Sequence, residues 1–218
     1  MDKNRVETIS DGVFSIVMTL LIFDVKVPEV VGGVTEMELW HMIGSLWPLF
    51  VSYALSFLVL SVFWINHHFL FNTFVKKVDR KLNLLNMVYL MFLAFVPFSA
   101  HLIGIYSTHE AAVLVYGLNI LAVIIMAQAM TRYVRKHPEL RNSGISKRLS
   151  KQGRIRTFIT MGSYVLGIAA SFASIPLAIF LYLFPMVFNI IPGTLDFAER
   201  LFMLDFGSYD DAAYTDDE

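Results

Sequence analysis

The sequence has no cysteine among its 218 residues, which excludes disulfides and thiol-based metal or redox chemistry. Charge is scarce too: 16% of residues are Asp, Glu, Lys or Arg, where a soluble domain carries about a quarter. There is no nucleophile–base–acid set and no glycine-rich phosphate loop, so an enzyme is not expected. No internal repeat is evident, and one membrane unit is expected to make up the whole chain. No small-residue cleavage site follows the first apolar run, so that run is expected to stay as a span. What is abundant is apolar: 56% of residues are hydrophobic and mean hydropathy is +0.62. One soluble core cannot hide that excess, so the sequence reads as an all-α integral membrane protein.

A span needs about 20 mostly apolar residues. Six stretches qualify or nearly so: residues 9–27, 43–65, 82–103, 111–130, 157–173 and 176–192. The last two come from one uncharged run of 35 residues, 157–191, broken at "SIP" (Ser174–Pro176). Proline removes a backbone donor and disfavours helix at the residue before it. Residues 196–218 form an acidic tail ending "DDAAYTDDE", expected to be partly disordered.

The basic residues set the orientation. With six spans, 16 of the 17 Lys and Arg fall on one side and only Lys26 on the other. Five or seven spans break that agreement. Both termini are therefore expected in the cytoplasm, with the chain multi-pass in the cell membrane. The stretch "RYVRKHPELRNSGISKRLSKQGRIR" resembles a nucleic-acid patch in composition alone. Its place between two spans favours the topological reading, and no nucleic-acid partner is expected. Trp40, Trp47 and Trp64 lie near span ends, where aromatic belts occur.

The first span, "ISDGVFSIVMTLLIFDVKVP", carries Asp11, Ser15, Thr19 and Asp24. At about 100° per residue, Thr19, Gly12, Phe23, Ile16 and Leu20 fall between about 80° and 180° from Asp11. One face is thus apolar with a single hydroxyl at mid-depth. Span hydroxyls commonly bond back to the i−4 carbonyl, so Thr19 alone reads as structural. Asp11 needs a partner or water. It can cap the helix together with Ser10, or pair with Arg5 if the helix begins earlier; the pattern leaves both open. Asp24 and Lys26 sit at the outer end. His67 and His68 point about 100° apart, unlike an i, i+4 metal pair, and no resident metal is expected.

"RVETISDGVFSIVMTLLIFDVKVP" resembles the signature of the transmembrane protein 175 family of potassium channels: Arg, three residues, then Phe-Ser-Asp. Arg5, Ser10 and Asp11 match, and Ile9 stands at the Phe position. The Thr-Leu-Leu run, the Asp-x-Lys-Val-Pro exit, "WINHHFLF" and "LNLLNMVYLMFLAFVPFSA" extend the resemblance. It implies a homotetramer of six-helix units around a pore lined by the first helix. Ile16, Leu20 and Phe23 match the hydrophobic constriction, where the family usually has Leu in place of Phe23. Thr19 matches the threonine layer tied to potassium preference. Arg5, Ser10 and Asp11 match an inter-helix network to which Trp64, Asn66, His67, Asn83 and Asn86 are the expected contributors. Asp24 would attract cations at the outer mouth. No cofactor is implied, only permeating potassium near Thr19, with membrane lipid around the tetramer. No Thr-Val-Gly-Tyr-Gly run is present, so a carbonyl filter is not the device. The competing reading is a proton- or cation-coupled transporter using Asp11 and the histidines. Transporters usually show broken helices and repeats about a midplane site, which this pattern lacks.

Overall fold

The computed structural model describes residues 2–27, 33–142 and 147–190. The final residues of the sixth expected span, 191–192, and the acidic tail 196–218 lie outside the described residues, as does the side chain of Asp24. The described residues form eight α-helices: α1 Lys3–Leu20, α2 Glu36–Ser45, α3 Trp47–Phe69, α4 Arg80–Ala94, α5 Val96–Ile105, α6 Glu110–Lys136, α7 Lys147–Ser171 and α8 Ile175–Ile190.

Local chemistry sets the helix ends. The Asn4 N–H donates to the Asp2 carboxylate at 3.0 Å and caps α1, which tightens into a 3-10 turn over Leu21–Asp24. Thr35 and Glu38 form a reciprocal capping box on α2, satisfying two otherwise orphaned donors. The 36–45 segment is therefore its own short helix, and Ile43 belongs to it instead of to the second span. α3 begins with Pro48 in its first turn and ends in a π-helical turn, Leu70–Phe74. Asp79 accepts the Leu82 N–H at 2.8 Å and caps α4. The third expected span is two helices, because the chain breaks at Phe95, where Pro97 has no N–H to bond the Leu93 carbonyl four residues back. In α8, Pro185 cannot bond to the Leu181 carbonyl four residues back; the Ser163 hydroxyl of α7 donates to that carbonyl at 2.5 Å.

Among the described residues, four segments are long and apolar enough to cross a membrane: Lys3–Phe23, Trp47–Phe74, Arg80–Ile105 and Glu110–Lys136. The apolar part of α8, Ile175–Asn189, is shorter. α7 is long, but its first third holds Lys147, Arg148, Lys151 and Arg154. The basic stretch expected between spans four and five is helical at both ends, carried on the last turns of α6 and the first turns of α7.

α4 packs on α6, α6 on α7, α7 on α8, and α3 on α5, while α1 leans on α3, α4 and α5. The core holds Phe14, Leu21, Leu60, Phe71, Leu82, Tyr89, Leu93 and Ile120. Tyr182 of α8 stacks on Tyr164 (centroids 5.0 Å apart) and donates to the Val113 carbonyl at 3.2 Å. It fits because Gly117 and Gly167 present no side chain to it. At the basic end, the Lys76 N–H donates to the Leu140 carbonyl (2.7 Å) and the Asn142 N–H to the Phe74 carbonyl (2.9 Å), stitching the α3–α4 turn to the segment after α6.

Candidate functional site

α1 has two unlike faces. Val6, Ser10, Phe14, Val17 and Leu21 are buried, at the i, i+4, i+8 spacing of one helix side. On the other side Ile16 is 59% exposed, Leu20 45% and Phe23 66%. Thr19 is exposed among them, and a Cβ at Gly12 would meet nothing within 4 Å. A mostly apolar face is thus left uncovered by the described helices. The Thr19 hydroxyl shares its proton between the carbonyls of Ser15 and Ile16, both at 2.9 Å. Its oxygen remains an acceptor toward the open face.

The buried side of α1 is fastened. The Ser10 hydroxyl donates to the Val6 carbonyl (2.8 Å) and accepts from the Asn86 amide of α4 (2.9 Å). With that NH2 directed at Ser10, Asn86 Oδ1 faces His67 Nε2 of α3 at 2.8 Å. The arrangement calls for the His67 tautomer with its proton on Nε2. Ser10, His67 and Asn86 are all buried. The His67 ring stacks on Phe71 (4.6 Å) and Tyr89 (5.5 Å), with Phe14 tilted against it at 5.7 Å. One residue on from Ser10, Asp11 accepts from the Trp64 indole N–H at 2.9 Å.

Ser10, Asp11, Trp64, His67 and Asn86 therefore come together. The helix starts at Lys3 with Asp2 as its cap, so Ser10 and Asp11 are interior helical residues and do not cap it. Arg5 precedes Asp11 by about 9 Å along the same helix and about 120° around it. Arg5 is exposed, and no ion pair joins it to Asp11 among the described residues. Asn66 is exposed and lines a cavity behind α3, and Asn83 is half-buried. No hydrogen bond brings either into the set among the described residues. His68 stacks on Trp64 at 5.8 Å.

Two features lie outside the expectations from sequence. One is the aromatic box of Phe14, Phe71 and Tyr89 around His67; its signal was spacing, since Phe14 lies four residues after Ser10 and Tyr89 three after Asn86. The other is a clasp at the basic end, where Tyr133 Oη donates to Asp79 Oδ2 at 2.6 Å. Partial burial pushes the Asp79 carboxyl up. The Tyr133 hydroxyl, the Leu82 N–H and nearby His137 outweigh it and hold the pKa below the ordinary 3.8.

A family model described as endosomal/lysosomal potassium channel TMEM175 matches residues 5–97, the part that holds α1 and its fastening. A potassium channel of Streptomyces collinus is 36% identical over 82% of this chain and 86% of its own length. The chain belongs to the TMEM175 family. The crystal structure of a homologue, from Chamaesiphon minutus, of the lysosomal potassium-selective channel TMEM175 superposes with a TM-score of 0.70 at 28% identity. The match covers 86% of this chain and 96% of that one. The Gallus gallus relative, named an endosomal/lysosomal proton channel TMEM175, is 36% identical over 47% of this chain but only 21% of its own length. This TMEM175 chain is a membrane protein of an ion-channel family.

Proposed function

We propose that this TMEM175 chain is a passive potassium channel of the cell membrane, built as a homotetramer of six-span units with both termini in the cytoplasm. The observation that carries the reading is the division of α1 into a fastened, buried side and an uncovered apolar side bearing one hydroxyl. Four such faces around an axis enclose a path that no single chain offers. Rings of Ile16, Leu20 and Phe23 make a constriction narrow and apolar enough to lose water, so a cation there meets a desolvation barrier. Thr19 supplies oxygens that partly replace the hydration shell, weakly enough for the ion to leave. Asp24 marks the outer mouth. The mechanism needs no cofactor beyond the permeating potassium.

The test is flux through reconstituted liposomes under opposed potassium and sodium gradients. The proposal expects potassium to pass better than sodium, with no second substrate. The name of the Gallus gallus relative favours one other reading, proton passage or proton-coupled transport through Asp11 and the histidines. Potassium flux that runs only with a matching proton flux would replace the channel by that reading.

A further inference from the structure

A cavity of about 200 Å³ lies between α3, α6, α7 and α8, and reaches His67 and Tyr89 behind the α1 fastening. Its walls are mostly apolar, with Val59 and Phe63 of α3, Ile124 and Ala127 of α6 and Met186 of α8, although the amides of Asn66, Gln128 and Asn189 also line it. At the basic end of the bundle the lining changes to Arg135, Arg154 and Arg156, and no carboxylate of the described residues lines it. The charges acting on Arg135 are those of Arg154 and Arg132, both cations. The Arg156 guanidinium lies 5.9 Å from the Phe188 ring centroid. None of the three arginines has a salt bridge among the described residues. Clustered cations beside a membrane core are unfavourable without an anion. Arginine pairs with phosphate through two parallel N–H bonds.

We propose that this cavity binds one anionic phospholipid, its acyl chain along the apolar walls and its headgroup phosphate on Arg135, Arg154 and Arg156. Basic pockets between spans that meet a membrane surface take such headgroups. Free phosphate fits the arginines but leaves the apolar walls bare. A phospholipid fits both ends and is at hand at high concentration, because α3 and α6 are themselves of membrane-crossing length. The proposal is independent of which ion the protein conducts.

The test is native mass spectrometry of the delipidated full-length protein, titrated with phosphatidylglycerol or phosphatidylcholine. One phosphatidylglycerol per chain is expected to be held in preference to phosphatidylcholine. Replacing Arg135→Gln and Arg154→Gln together should weaken it about thirty-fold, at roughly 1 kcal/mol per arginine. Lys76→Gln with Lys77→Gln, outside the cavity, should leave it unchanged. Ala127→Phe, which fills the apolar wall and keeps the arginines, should also expel it, giving a second route if the arginine variant does not fold. Equal binding of the two lipids, retention in the arginine variant, or displacement by inorganic phosphate would overturn the proposal. So would a photo-crosslinker at position 131 that captures the chain's own acidic segment beyond residue 190 in place of lipid.

Discussion

Trp64 of α3 donates its indole N–H to the Asp11 carboxylate of α1 at 2.9 Å, while the neighbouring Ser10 accepts from Asn86 of α4 at 2.9 Å. Adjacent helical residues point about 100° apart. Two bonds from consecutive positions to two different helices therefore fix the rotation of α1 about its own axis. That rotation decides which side chains lie on the uncovered face. The polar groups at the basic end of α1 and the apolar ones further along it are two parts of one device.

The Trp64 bond should be measurable as a coupling. Trp64→Phe keeps an aromatic ring and removes the donor; Asp11→Ala removes the acceptor. Unfolding of both single variants and the double in detergent should give a coupling of about 1 kcal/mol, the net value of a partly exposed hydrogen bond to a charged group. Additive losses would mean that the two residues act separately.

Asn86 sits deeper and should matter more. Asn86→Leu leaves the His67 N–H buried without an acceptor, a loss of about 1–3 kcal/mol. Replacing both partners by apolar residues of similar shape is far less costly than orphaning one. The double variant Asn86→Leu, His67→Phe should thus unfold at a higher temperature than Asn86→Leu alone. A double variant that is less stable than the single would show that His67 contributes through its aromatic box more than through Asn86.

The division of α1 was legible in two steps: helix periodicity groups Ile16, Thr19, Leu20 and Phe23 on one face, and the family resemblance, which periodicity only permits, names that face as the open one. Ser174–Pro176 likewise placed the break after α7, whereas the split at Phe95 inside the expected span 82–103 was not read from Pro97. The reach of α6 to Lys136 and the start of α7 at Lys147 were not legible. Hydropathy falls at Arg132 and rises at Thr157, yet Lys and Arg are good helix formers, and a helix leaving lipid need not end. The partner of Asp11 was hidden for a different reason. Periodicity offered Arg5 or a cap, both local; the family resemblance named Trp64 only as one of five contributors, and the packing selects it as the donor, 53 residues away. Of the two candidate asparagines on α4, only the tertiary packing selects Asn86.

The clasp between Tyr133 and Asp79 carries a pH signature. The Asp79 pKa is lowered, so ionised Asp79 contributes stability that is fully present above its unfolded value and lost as pH falls through the lower folded value. Tyr133→Phe should lower the thermal midpoint at neutral pH. The gap from the native protein should then close as pH falls through the lowered folded pKa, where both forms come to carry a protonated Asp79. A gap that persists in acid would show that Tyr133 acts by packing against His137 and Lys81, which also contact its ring.

Thr19 separates a structural hydroxyl from a filter. Its proton is already bonded within α1, to Ser15 and Ile16 carbonyls at 2.9 Å, so the helix does not need an outside partner for it. What faces the open side is an oxygen that only accepts. On the channel reading four such oxygens meet a cation in an otherwise apolar constriction. Thr19→Val keeps the branched shape and deletes the oxygen; Thr19→Ser keeps the oxygen and deletes the methyl. Reversal potentials under bi-ionic conditions should show a potassium-over-sodium ratio about fivefold lower in the Val variant, the change given by roughly 1 kcal/mol of lost coordination. The Ser variant should retain most of the native ratio. If Val and Ser lose it equally, the methyl's packing sets the pore width and the oxygen is incidental. If neither changes it, discrimination lies in the Ile16, Leu20 and Phe23 rings, which reject the ion harder to dehydrate.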